Sequence, residues 1–150
     1  MARGLQPTLI ATTPDILLVE DDAVDAELTL SALNQCGYSD RVAHVTDGVE
    51  ALDYIATTRG APCNLKLILL DLKLRNMSGL HVLRQLKADE RTRGIPVVVL
   101  TSSRMAIELL ESYKLGVNSY VIKPVDADKF DDVIEQISTY WLNVNETSPH

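Results

Sequence analysis

The chain has 150 residues, enough for one domain with a full hydrophobic core and too few for two of equal size. Its net charge of −7 and pI near 4.8 argue against a nucleic-acid surface, which needs clustered Lys and Arg, whereas the 14 basic residues here are scattered. Cys36 and Cys63 have no metal or redox spacing and read as reduced packing residues in a cytoplasmic setting. Residues 1–14 lack the basic start and long apolar stretch of a leader or membrane span, and read as a flexible tail.

In chain order, Asp15 to Val19 is a short apolar strand, followed by a helix from Ala23 to Cys36 with Leu28, Leu30, Ala32 and Leu33 as its apolar positions and Gly37 as its stop. Val42 to Val45 is a second strand. A helix starting at Asp47-Gly48 runs through Val49, Leu52 and Ile55 until Gly60-Ala61-Pro62 breaks it. The run Lys66 to Leu70 is too short and too apolar for anything but a buried strand, and it ends at Asp71. After a turn at Asn76 to Gly79, Leu80, Leu83 and Leu86 stripe a helix from Leu80 to Ala88. Pro96 opens a fourth strand, Ile107 to Leu115 is a helix closed by Gly116, Asn118 to Ile122 is a fifth strand, and Asp126 starts the last helix. This alternation describes an α/β fold in which an open parallel sheet is covered by helices on both faces, residues 15–144 forming one domain and residues 145–150 a disordered end.

The last helix is longer than the fold needs. Phe130, Val133, Ile134, Ile137, Tyr140, Trp141 and Val144 make a broad apolar stripe, one part of which covers the sheet while the remainder asks for a partner. The expectation is a homodimer with Phe130, Ile137, Tyr140, Trp141 and Val144 at its interface; the rival is that the aromatic pair folds back on its own domain.

Four strands end in polar residues: the first at Glu20-Asp21, the third at Asp71, the fourth at Thr101-Ser102-Ser103 and the fifth at Lys123-Pro124. In a parallel sheet these ends share one edge, where open α/β folds place ligands. Glu20, Asp21 and Asp71 would repel one another there, and a hard divalent cation, Mg²⁺, is the ordinary remedy. Lys123 and Thr101 then ask for a further anion, most economically a phosphoryl group on Asp71. The plainer alternatives are that Glu20 and Asp21 are acids at the first helix's N-terminus, the role also given to Asp22 and Asp25, and that Tyr120 is core. His44, His81 and His150 are isolated and show no ligand spacing.

Glu20-Asp21, Asp71, Thr101-Ser102 and Lys123-Pro124, in this order and at these intervals, resemble the receiver domain of two-component response regulators from about Ile16 to Trp141. The resemblance implies a flavodoxin-like sheet in order 2-1-3-4-5 and a sensor histidine kinase as phosphoryl donor to Asp71. It also implies Mg²⁺ held by Asp21, Asp71 and the Lys73 backbone carbonyl, with Glu20 acting through water. Thr101 and Lys123 would contact the phosphoryl oxygens, and Tyr120 would be a switch aromatic turning from exposed to buried. A cis Lys123–Pro124 bond is implied as well.

Leu70 to Leu74, Met77 to Leu80, Ser112 to Tyr120 and Tyr140 to Leu142 further resemble the stand-alone regulators that partner phytochromes. Arg75 replaces a proline common in the family, and Arg104 to Ile107 is more apolar than the usual acidic helix start. Two other functions stay open: a Mg²⁺-dependent phosphohydrolase with an aspartate nucleophile, which needs an acid where Lys73 stands, and a receiver-shaped scaffold that takes no phosphate. On the receiver reading the protein is a phosphoacceptor with self-catalysed transfer and slow autodephosphorylation, not a turnover enzyme, with no nucleic-acid or membrane partner.

Overall fold

The computed structural model describes residues 14–57 and 64–148. The strands are β1 (Ile16–Val19), β2 (Val42–Val45), β3 (Leu67–Leu70), β4 (Val97–Thr101) and β5 (Ser119–Ile122). The helices are α1 (Ala23–Gln35), α2 (Gly48–Thr57), α3 (Gly79–Ala88), α4 (Ala106–Lys114) and α5 (Ala127–Thr139). All strand pairs are parallel and the sheet order is β2-β1-β3-β4-β5. The expected elements are present; β1, β3 and β5 start one residue later, α1, α3, α4 and α5 are displaced by one at one or both ends, and the last α-helix stops at Thr139.

β1, β3 and β4 are buried at every residue, which is why their sequences are continuous apolar runs rather than alternating ones. Leu17, Val19, Ile68, Leu70, Val97 and Val99 face a layer containing Ala51 of α2 and Val82, Leu83 and Leu86 of α3. Ile16, Leu18, Leu67, Leu69, Val98 and Leu100 face Ala32 and Leu33 of α1 and Phe130, Ile134 and Ile137 of α5. The period of two along each strand therefore feeds two cores at once.

Several expectations need correcting. Phe130 and Ile137 are 3% and 8% exposed and belong to the core between α5 and the sheet, so neither side chain is available to a partner. The continuation of α5 is a π-helical segment, Tyr140–Val144, that buries Leu142, leaves Tyr140 and Val144 exposed, and packs half-buried Trp141 on the same core. Asn143 Nδ2 donates to the Tyr38 hydroxyl at 2.9 Å and ties this segment to the end of α1, so part of the aromatic tip does fold back. No cis peptide occurs among the described residues; Lys123–Pro124 is trans, the isomer that X-Pro bonds favour by about 0.5–1 kcal/mol. A 3₁₀ turn at Ser39–Arg41, unexpected from the sequence, leads into β2. Cys63, His150, residues 1–13 and the Gly60-Ala61-Pro62 break lie outside the described residues, whereas Cys36 is a free, half-buried thiol.

Candidate functional site

The parallel ladder carries one residue beyond three of the strands. The Glu20 amide donates to the Val45 carbonyl at 3.1 Å, the Asp71 amide to the Val19 carbonyl at 3.1 Å, and the Lys123 amide to the Thr101 carbonyl at 2.8 Å. Backbone pairing thus brings the strand tips level, and their side chains meet although up to 103 residues separate them. Glu20, Asp71, Thr101 and Lys123 are 2%, 7%, 0% and 8% exposed.

Lys123 Nζ donates to Glu20 Oε1 at 2.7 Å, to Asp25 Oδ2 at 2.7 Å and to Asp71 Oδ2 at 3.2 Å. Glu20 Oε2 accepts from the Asp22 amide at 3.2 Å, and Asp71 Oδ1 accepts a long bond from the Lys73 amide at 3.4 Å. Lys73 meets Asp71 through this amide, and its own side chain is exposed. Glu20, Asp21 and Asp71 each offer a carboxylate oxygen within 4.8 Å of the others. One ammonium cannot neutralise so many acids. Burial, only partly offset by the Lys123 hydrogen bond and reinforced by the Asp71 charge, pushes Glu20 up to about 7. Burial opposes the Lys123 charge, but hydrogen bonds to Asp25 and Glu20 outweigh it and raise its pKa, so the ammonium is permanent. An acid set held at such cost fits a divalent cation, with oxygen donors of the kind Mg²⁺ takes.

Gly79 explains how Asp71 is held. Its amide donates to the Leu72 carbonyl at 2.9 Å, and a Cβ there would stand 2.2 Å from the Asp71 carbonyl oxygen, so only glycine lets α3 start against this backbone. Thr101 Oγ1 accepts from the Ser103 amide at 3.3 Å. Tyr120 does not stand exposed as expected for an unmodified chain: it is half-buried, its ring packs on the α2/α3 side, and its hydroxyl donates to the Ser103 carbonyl at 3.2 Å. Arg75 Nε lies 3.6 Å from Asp21 Oδ2, giving the departure from proline a partner within the site.

Asp25 is the acid of the first helix turn expected from the sequence, and it has a second role that the sequence does not show. Asp22 does the helix capping, its Oδ1 accepting from the Asp25 amide at 2.9 Å, and Asp25 turns its carboxylate to Lys123 instead. Asp22 is the N-cap and Asp25 lies in the first turn, where acids are equally at home, and no local signal shows that only Asp25 reaches a distant partner.

Residues 16–135 match the family model of the response regulator receiver domain. The chain belongs to this family. It is 41% identical to the probable methanogenesis regulatory protein FilR2 of Methanothrix harundinacea over 98% of this chain and 97% of the relative. The crystal structure of the phosphorylated cyanobacterial phytochrome response regulator RcpA superimposes with a TM-score of 0.82 at 33% identity, covering 92% of this chain and 100% of that one. The Mn²⁺-bound form of response regulator Rcp1, a Synechocystis protein, gives a TM-score of 0.77 at 31% identity, covering 89% and 98%. Receiver structures thus bind such cations, and this chain has an acid group compatible with one. No helix among the described residues is long and apolar enough to cross a membrane.

Proposed function

We propose that this chain is a single-domain response regulator whose Asp71 accepts a phosphoryl group from the phosphohistidine of a sensor kinase. The observation that supports it best is the setting of Asp71: only 7% exposed, held at Oδ2 by an ammonium at 3.2 Å and only loosely at Oδ1. An Asp71 oxygen forms the new P–O bond as the P–N bond to the kinase imidazole breaks, the electron pair leaving on the ring nitrogen. Lys123 and the Thr101 hydroxyl bind the transferred oxygens. Asp21, Asp71 and the Lys73 carbonyl, with Glu20 through water, are the residues to hold Mg²⁺, which would offset charge on those oxygens. Phosphorylation adds roughly −2 charge. Thr101 follows it inward, and the Tyr120 hydroxyl, now tied to Ser103, reports the change to α4 and α5 by a population shift.

The position two residues after Asp71, where a phosphohydrolase of this kind needs a proton donor, carries exposed Lys73. The product is therefore a stored acyl phosphate, lost slowly by self-catalysed hydrolysis. Incubation with acetyl phosphate and Mg²⁺ should add one phosphoryl mass to the intact protein, and Asp71→Asn should abolish it. Labelling of that variant would show another acceptor.

The kinase we propose is of phytochrome type, in the cytoplasm, a reading supported by the likeness to RcpA. Faster phosphotransfer from a kinase carrying a photosensory module than from kinases with other inputs is the expected outcome; equal transfer overturns it. We also propose a homodimer through Tyr140, Val144 and the rim of Trp141. Val144→Asp should leave a monomer mass in light scattering where the unaltered chain gives a dimer.

A further inference from the structure

The ammonium of Lys123 has a partner outside the cation-type acid group. Asp25 Oδ2 is 2.7 Å from Nζ, as close as Glu20 Oε1 and closer than Asp71 Oδ2 at 3.2 Å, yet Asp25 is not among the three acids that converge within 4.8 Å. A divalent cation in that group would draw on Asp71 directly and on Glu20 through water, both of which now serve the lysine, and its charge would repel the ammonium. The contact to Asp25 is the one made with an acid outside that group. Its carboxylate is 32% exposed, at the mouth of the site rather than the bottom, whereas Lys123 is 6% exposed. The backbone beneath it is pinned by the Asp22 cap bond to the Asp25 amide and by the Thr29 hydroxyl, which donates to the Asp25 carbonyl at 2.9 Å.

We propose that Asp25 is a positioning residue for phosphoryl transfer: it takes over Lys123 when a divalent cation fills the Glu20, Asp21 and Asp71 group, and keeps the ammonium within reach of the incoming phosphoryl oxygens. The proposal rests on the reading of Asp71 as an acceptor beside such a cation. Without Asp25, Lys123 has only cation ligands to pair with, so cation and lysine compete.

Mn²⁺ titration followed by water-proton relaxation tests this, using Asp25→Asn, the conservative Asp25→Glu, and Asp22→Asn as a control. The control removes one charge from the same turn and keeps a side chain able to cap. Asp25→Asn should weaken Mn²⁺ binding about tenfold, Asp22→Asn less than about twofold, and Asp25→Glu should restore most of the affinity. In the Mg²⁺-loaded unaltered chain the Lys123 ammonium should give a slowly exchanging ¹H–¹⁵N signal, absent in Asp25→Asn. Equal weakening by Asp22→Asn and Asp25→Asn, or an ammonium signal that persists in Asp25→Asn, overturns the role. Failure of the unaltered chain to bind Mn²⁺ would instead overturn the reading of the site, and this role with it.

Discussion

Helices α3 and α4 cover the same face of the sheet and are almost equally long, ten residues against nine, yet they bury opposite chemistry. α3 hides Gly79, Val82, Leu83 and Leu86. α4 buries only Ser112 and turns Ile107, Leu109, Leu110 and Tyr113 outward at 41–57% exposure. What holds α4 is largely local hydrogen bonding: Ser112 Oγ donates to the Glu108 carbonyl at 2.7 Å, the Val117 amide to the Ser112 carbonyl at 3.0 Å, and Ser103 Oγ to the Glu108 carboxylate. An element fixed by burial is costly to move, and one fixed by a few polar contacts is not. α3 is thus the firmly packed mount of Asp71, and α4 the more loosely packed part of this face.

The largest effect should come from the mount. Gly79→Ala places a methyl against the Asp71 backbone at 2.2 Å, and a loss of about 4 kcal/mol in urea unfolding is expected. A loss below about 1 kcal/mol would mean that α3 yields easily, and the contrast would fail. Leu86→Ala, which empties a site 2% exposed, should cost about 3 kcal/mol by the same measurement.

Next comes the pH response of the acid cluster. Glu20 titrates near 7 in the folded chain against 4.5 unfolded, so between those values the folded state holds a proton that the unfolded state has lost. The contribution of Glu20 to stability without metal is therefore full below 4.5 and lost as pH rises through 7. Urea midpoints at several pH values check the sign, and Glu20→Gln should flatten the slope. A rise over the same window that Glu20→Gln leaves unaltered would show that Glu20 is not its source. Leu110→Ser, on the outward face of α4, should shift stability by no more than about 0.5 kcal/mol. A cost near that of Leu86→Ala would show that α4 is packed like α3.

Three strands were legible because a segment buried on both faces must be apolar throughout, and these runs, with half-buried β5, stop at polar residues that the ladder then aligns. Asp21, Asp71, Thr101 and Lys123 were found as strand ends, a local property. Asp25 was not, because its partner is 98 residues away and its first-turn position already had an adequate local explanation. α4 was legible only as a helix, because its apolar residues show that a helix forms but not which face meets the sheet.

The sequence by itself determined the order of elements, the two-faced burial of β1, β3 and β4, and the identity of the residues at the strand tips. These follow from short-range periodicity, which any window of the chain displays. Only the tertiary structure decided that Lys123 serves Asp25 as well as Glu20 and Asp71, that Phe130 and Ile137 are core while Tyr140 and Val144 face solvent, and that Tyr120 already hydrogen-bonds Ser103. Those choices depend on which helix face meets the sheet and on contacts across many tens of residues, where packing and charge pairing, not local pattern, select the partner.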